Sequence, residues 1–451
     1  MIRTSVLFAT ILLTAVACGR SSLPIGLSPL DDDGSGGSGA TGGSGGMGGD
    51  TTGGGGEGGL PPDCSVLQVD GPIGVAGGVM AHQRQPSLVQ VDAASVLLAM
   101  EWTDAAFPNA PREVRHTVLD PWLPSFPTAD AAPSFLADLD KGVSFDATTA
   151  TEGQFALLMS GDGGFSGGVT FNPFFVPGDG GISSGFDLGP PAQIDFVSHD
   201  GQGRFLFGIT NTFGPGVSVL NLAVVSIDGG GGLALEAGPI PFACAQGLPV
   251  HGAARFSDGE WVVVSSSGVP DGPANCMPGP PPPGPPQLVQ TGFIDSQGLV
   301  AVFATEATGF AVDQIDLVPT GDGHAALWSG PSDGFGGPLL AWPLDEIGNP
   351  LAPADVLDGN DQAVIPGSWD AGGFGNGFVV QWRSGVDQAV HVRRYASSLG
   401  PLGQTTVDAV NGAVGRPDII GDPSGDDRAL VAQPVLGTEG DQMRLYRVGC
   451  P

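Results

Sequence analysis

The sequence predicts an all-β fold built from seven copies of one four-stranded antiparallel unit, and three observations predict it. The first is composition: 77 Gly and 41 Pro in 451 residues, beside 41% apolar residues, leave material for a core but little for long helices. The second is a two-strand unit, a short strand, an Asp/Gly turn and an apolar strand, that recurs along the chain. The third is a second hairpin after each unit, turning in several copies at apolar-Asp-x-x-Gly, as in "SIDGGGGLAL", "FIDSQGLVAV" and "PLDEIGNPLA".

The recurrence is plainest between "AQIDFVSHDGQGRFLFGIT" and "DQIDLVPTGDGHAALWSG". It returns as "QPSLVQVDAASVLLAMEW", "GVSFDATTATEGQFALLMSG", "PVHGAARFSDGEWVVVSSS", "VIPGSWDAGGFGNGFVVQW" and "RPDIIGDPSGDDRALVAQP". Equivalent positions fall at 85, 140, 193, 249, 314, 362 and 416, so the spacings are 55, 53, 56, 65, 48 and 54. The long fourth spacing holds the insertion "PGPPPPGPPQ", a stiff surface loop rather than a polyproline recognition segment. Short strands repeating at this period mark a β-propeller, because one blade cannot bury both of its faces alone. Over residues 64–451 the pattern resembles seven-bladed propellers, without the Gly-His and Trp-Asp marks of WD repeats. Two β-sandwiches would leave the seven-fold period unexplained.

The ends of the region fit closure of such a ring. The last unit supplies three strands, ending in "MRLYRVGCP", and "CSVLQVDGPIGV" supplies one strand before the first unit. Residues 65–69 are therefore expected to pair with 443–448 and complete the seventh blade. That places Cys64 beside Cys450, where a disulfide would replace the missing hairpin turn. Cys244, before the first strand of blade four, and Cys276, after its second strand, fall on one face of that blade and form the second expected bridge. An exported chain is where such pairs persist.

Export is read from residues 1–17. Arg3 precedes "VLFATILLTAVA", too short for a permanent span and suited to a signal peptide. "AVAC" followed by Gly19 resembles the lipobox of bacterial lipoproteins, which implies lipid on Cys18. Gly19 in place of Asp favours the outer membrane over the inner, on either side of it. Ordinary cleavage after Ala17 is the alternative. Residues 18–63, with "DDDGSGGSGATGGSGGMGGDTTGGGGEGG", read as a disordered tether reaching roughly 35–40 Å.

The 47 acidic residues against 15 basic ones give a net charge of −32, which repels nucleic acid and anionic membrane surfaces and suits cations such as Ca²⁺. First strands line a propeller's axis. Their ring positions are Gln85, Asp140, Gln193, Pro249, Gln314, Gln362 and Arg416, and two residues further on stand Ser87, Asp195, His251, Asp316 and Asp418. Gln193, Asp195, His251, Gln314, Asp316, Arg416 and Asp418 are thus candidates to bind a cation or a polar ligand; a channel holding only water is the plainer reading. No cofactor is required by this pattern, with Ca²⁺ the one candidate.

Catalytic signatures are lacking. The Asp-Gly turns lack D-x-D-x-D-G spacing and read as hairpin turns. Tyr395 and Tyr446 fall on third strands, away from the axis where a sialidase nucleophile would stand, and neither H-E-x-x-H nor G-x-S-x-G occurs. Two function classes remain: a membrane-anchored display module without catalysis, and a polysaccharide hydrolase or lyase using channel carboxylates. In either case the tether leaves from the face of the third-to-fourth-strand turns. The opposite face, with the proline loop and the channel mouth, is the one expected to meet a protein or glycan partner.

Overall fold

The computed structural model describes residues 64–76, 81–104, 112–139, 145–151, 154–160, 168–175, 184–187, 192–213, 217–227, 233–268, 287–295, 297–298, 300–330, 337–357, 363–407, 412–437 and 440–451; side chains from 137 to 193 lie outside that description. The expected signal peptide, lipidated Cys18 and tether, Cys276 and the proline insertion at 278–286 also lie outside the described residues.

Strand β1 (Gln68–Gly74) precedes the first complete sheet, β2 (Ala81–Gln90), β3 (Val96–Asp104), β4 (Arg112–Leu119) and β5 (Ser134–Leu139). The next holds β6 (Phe145–Thr151), β7 (Gln154–Ser160), β8 (Gly168–Phe175) and β9 (Ser184–Asp187). The third holds β10 (Ala192–His199), β11 (Arg204–Phe213), β12 (Val217–Ile227) and β13 (Leu233–Gln246), and the fourth β14 (Gly252–Ser257), β15 (Glu260–Ser267), β16 (Leu288–Ile294) and β17 (Val300–Ala307). The fifth holds β18 (Gln314–Thr320), β19 (Gly323–Ser329), β20 (Leu339–Leu344) and β21 (Asp355–Val356). The sixth holds β22 (Val364–Phe374), β23 (Gly377–Ser384), β24 (Val390–Tyr395) and β25 (Pro401–Thr406). The last strands are β26 (Asp418–Gly421), β27 (Arg428–Leu436) and β28 (Asp441–Gly449), joined by β1 in the order β1-β28-β27-β26.

Among the described residues, then, the strands form seven four-stranded antiparallel sheets, six of them described with side chains, and the sheet of β6–β9 by its strands. Each innermost strand touches the innermost strand of the next sheet, and β26 touches β2. The architecture is a β-propeller of four-stranded antiparallel blades.

Burial explains the sequence of each strand. A blade's second strand is covered by neighbouring blades on both faces, so it reads as a continuous apolar run: β19, "GHAALWS", is buried at every position, and β15 at all but its first. Such strands need β-branched and aromatic residues on both faces at once. Outermost strands alternate or face water, as β17 and β25 do. Val262 and Val264 of β15 pack with Ile315, Leu317 and Trp328 of the next blade; each fully buried side chain of this kind contributes roughly 1.5–3 kcal/mol. The hairpin turns follow residue chemistry. Asp258 and Gly259 both hold positive φ between the paired Ser257 and Glu260, the two-residue turn that Asp-Gly favours.

The seam between the last and first blades carries the most hardware. Cys64 and Cys450 are joined by a disulfide. Strand β1 pairs with β28 from Gln68↔Gly449 to Gly74↔Arg444, so the pairing strand runs 68–74 rather than the expected 65–69. The reason is that the preceding residues are committed elsewhere: Val66 bridges in parallel to Gln404 of β25. The connection from β4 to β5 then straps the seam. Arg447 donates to the carbonyls of Pro121 at 2.9 Å and Leu123 at 2.6 Å, Arg428 donates to that of Trp122 at 3.0 Å, and Ala131 bridges Val75.

Cys244 is disulfide-bonded, and its partner lies outside the described residues, as Cys276 does. It belongs to the end of β13, the outer strand of blade three, rather than to a connection. Its carbonyl accepts from the Gly268 amide at 2.7 Å and the Ser267 hydroxyl at 3.2 Å, which holds it beside the chain leaving β15.

The Cys64–Cys450 bridge spans 386 residues, so on the chain-entropy account its loss removes up to about 5 kcal/mol. Cys64→Ser with Cys450→Ser should lower the denaturant midpoint and leave the fold intact through β1. An unchanged midpoint would mean that the strap alone seals the ring.

Candidate functional site

The innermost strands enclose a cavity of about 730 Å³ on the axis, within the size of small-molecule sites. Its described wall comes from β2, β10, β14, β18, β22 and β26, from Gln85 in the middle of β2 and Arg416 just before β26 to Gly321, Gly375 and Gly425 in the turns. The strands crowd inward here. A Cβ on Gly421 of β26 would lie 2.2 Å from the carbonyl oxygen of Gly373 on β22, so only glycine fits.

An innermost strand has one edge unpaired, and its inward amides need acceptors. Three blades supply them with carboxylates at one repeated position. Asp316 accepts from the amide of Leu317 at 2.7 Å and from that of Ala371 on the next blade. Asp370 Oδ2 accepts from the amide of Ile419 on β26 at 2.9 Å. Asp418 Oδ2 accepts from the amide of Leu88 on β2, and its Oδ1 from that of Ile419 at 3.0 Å. Each carboxylate thus fastens its own blade to the next.

Arg416 is the counter-charge of this cluster. Its Nε and a terminal nitrogen donate to Asp370 Oδ1 at 3.2 and 2.7 Å. Asp370 is sealed, whereas 49% of the Arg416 side chain is exposed. Arg416 lines the open cavity, so solvent there screens the pair in part. Burial pushes Asp370 well above the usual carboxylate range, against the opposing pull of Arg416, and Asp316 and Asp418 raise it further. Burial likewise raises Asp316. Burial disfavours the Arg416 charge, yet Asp370 and Asp316 outweigh it and the guanidinium is held more firmly protonated than usual. Asp195 stands apart: burial pushes its carboxyl up to about 7, opposed only by the hydroxyl of Thr210, which donates to it.

Of the residues expected at the axis, Asp195, Asp316, Arg416 and Asp418 line the cavity, with Gln85 and Ser87. Gln314 does not. It is buried and its Nε2 donates to the carbonyl of Trp369 at 2.6 Å, another link to the next blade. His251 precedes β14 and is absent from the wall; its amide donates to Ser266 Oγ at 2.9 Å. Counting back from the Asp258-Gly259 turn aligns His251 with Gln314 and Ala253 with Asp316. Pro249 offers its carbonyl to Gln287 Nε2 at 2.7 Å. The side chain of Gln193, together with Asp140 and Gln362, lies outside the described residues.

Three charged wall residues escaped the sequence reading, Asp370, Arg255 and Asp422. Strand β22 runs 11 residues with a register shift between Val364 and Trp369, so anchoring its unit at Gln362 missed Asp370 by six positions. The signal was present: apolar-Asp-apolar, "WDA", matches "IDL" of blade five. Tyr395 and Tyr446 are buried in third strands and absent from the described wall. Among the described residues, no group of three or more His, Cys, Asp or Glu is placed to hold a metal ion.

No protein-family model matches the chain, and no curated protein matches it. Solved structures do. A protein of unknown function from Dyadobacter fermentans is 11% identical, with 85% of this chain and 99% of that one covered and a TM-score of 0.45. A neuraminidase-like protein from A/bat/Guatemala is 9% identical, covering 85% and 94%, with a TM-score of 0.41. The fucose-specific lectin from Aleuria aurantia is 10% identical, covering 74% and 96%, also at 0.41. At these scores the likenesses carry no functional weight, and the chain's own sheets define its fold.

The electrostatics make two predictions. The folded pKa of Asp195, about 7, lies above the unfolded value of 3.8, so the folded state binds the extra proton and loses stability as pH rises from about 4 to 7. Asp195→Asn should match the wild type at pH 4 and exceed it by roughly 2–4 kcal/mol at pH 8; equal stabilities at pH 8 would contradict this. Arg416→Gln strips Asp370 of its cation and should cost up to about 3 kcal/mol at pH 8, less at pH 4 where Asp370 takes a proton. A pH-independent loss would rule out the charge explanation.

Proposed function

We propose that the chain is an exported, lipid-anchored, seven-bladed propeller that presents its axial cavity as a non-catalytic binding site for a small polar ligand. The observation that carries the reading is the use of the wall carboxylates. Asp316, Asp370 and Asp418 all accept from backbone amides, and Asp370 also from Arg416. A hydrolase needs one carboxylate free to attack or to activate water and another free to donate a proton. A binding wall needs only fixed polar groups at a preformed cavity.

The anchor rests on "AVAC" and Gly19, with Cys18 as the lipidated residue, the outer membrane as destination and residues 18–63 as the leash. Cys64 is fixed to Cys450, on the side of the third-to-fourth-strand turns. The opposite side, carrying the proposed Cys244–Cys276 bridge and the proline insertion, is then the one offered to a glycan or protein. No cofactor is needed on this reading. Ca²⁺ would compete with Arg416 for the same carboxylates.

One observation favours catalysis as the second reading: Asp195, with its pKa near 7, is poised as a general acid on the cavity wall. Release of reducing ends from a polysaccharide panel, abolished by Asp195→Asn, would establish it in place of display. For the anchor, Cys18→Ser should move the protein from the membrane to the soluble fraction, and mass spectrometry should find diacylglycerol on Cys18. An unmodified mature N-terminus would refute it. Calorimetry should give no Ca²⁺ heat for the wild type and measurable heat for Arg416→Gln; strong wild-type binding lost in Asp195→Asn with Asp316→Asn would instead make the cavity a calcium site.

A further inference from the structure

Twelve arginines lie in the described residues, and eleven donate to a protein acceptor: Arg84 to Asp441, Arg112 to Glu101, Arg416 to Asp370, and the others likewise. Arg255 is the exception. It sits on β14, lines the axial cavity and makes neither a hydrogen bond nor an ion pair among the described residues. Its blade also supplies no carboxylate to the ring, because Ala253 stands where the next blade has Asp316. Burial lowers its pKa, with the charge of Asp316 the sole opposing influence.

A guanidinium presents five N–H donors in a rigid plane and cannot shed its proton to escape the cost of desolvation. Exposed on the cavity wall and without an acceptor among the described residues, it holds its donors free for a ligand that enters. The partner that fits its fork is a planar anion, a carboxylate bound through two parallel charge-assisted bonds. The rest of the wall asks for the opposite. Asp195, Ser87 and Gln85 are acceptors or mixed groups suited to hydroxyl donors, and the blade adjoining Arg255 carries Asp195. An acceptor-rich wall with one cation unpaired among the described residues selects a molecule that is anionic at one end and hydroxylated along its body.

We propose that the axial cavity binds a hydroxylated organic carboxylate, a sugar acid or hydroxy acid, with its carboxylate seated on Arg255. The proposal rests on the reading of the cavity as the binding site and names the class of its ligand.

Calorimetry on the full mature chain, with D-glucuronate, D-glucose and lactate as probes, tests it. D-glucuronate should bind at least tenfold more tightly than D-glucose, and Arg255→Gln should erase that preference while Arg255→Lys keeps part of it. Because Arg255 bonds to no described residue, Arg255→Gln should melt at or above the wild-type temperature, so a lost preference would not reflect unfolding. Thr320→Trp, which fills the cavity from its wall, separates the two claims. If glucuronate and glucose bind equally, and Thr320→Trp blocks both, the cavity is the site but the carboxylate assignment falls. If glucuronate binds and Thr320→Trp leaves it untouched, both fall. Absence of binding by glucuronate and lactate alike overturns the assignment.

Discussion

The pairing of β1 with β28 is the contact on which the rest of the molecule depends. A blade's second strand is apolar on both faces, so it must have a blade on either side, and a row of blades satisfies this only when its two ends meet. Here the meeting is made by a strand from the opposite end of the sequence, running from Gln68 to Gly74 along β28. The ladder, the Cys64–Cys450 bond and the strap through Arg447 and Arg428 all act at this seam. Such concentration is what chain entropy demands. In every other blade the third and fourth strands follow one another in the sequence, whereas this blade closes a loop of nearly the whole domain.

Closure creates an axis, and the axis creates a second problem, that of inward strand edges with unpaired amides. Filling the axis with apolar side chains would bury those amides without partners. The carboxylates at Asp316, Asp370 and Asp418 answer them one by one across successive seams. Taking several charges out of water costs several kcal/mol per ion, and each charge-assisted bond returns about 1.5–3 kcal/mol. The net gain over an apolar core is small. What the charges secure is an axis that stays open and wet, with blade spacing fixed by hydrogen bonds rather than by packing.

The fold was legible because its signals are local and repeated. Two-strand units separated by Asp-Gly turns, and a lone strand at one end matching three at the other, require no knowledge of long-range packing. The position of the axial carboxylates was legible where the unit kept its length, at Asp195, Asp316 and Asp418. It was lost where a strand was extended, since β22 carries extra residues and a register shift before Trp369. His251 was misplaced for another reason: blade four was anchored at Pro249, two residues before the position that matches Gln314, although β14 pairs with β15 without a shift. Arg255 was invisible for a different reason. Nothing in a sequence says that an arginine has no partner among the described residues; that is a property of what the fold brings near it.

The acidity of the chain reads differently once the axis is in view. A charge of −32 invites the inference that its channel attracts cations, and Asp195, Asp316, Asp370 and Asp418 on the wall point the same way. Yet three of them are already answered by backbone amides and by Arg416, and burial holds Asp195, Asp316 and Asp370 toward their neutral forms. The effective field on the axis is therefore far weaker than a count of carboxylates suggests. A lone guanidinium in that setting keeps its full charge, because its pKa leaves it no neutral form to adopt. Net charge governs how this protein meets long-range partners through water; at the axis, the proposed binding turns instead on the one guanidinium without a partner among the described residues.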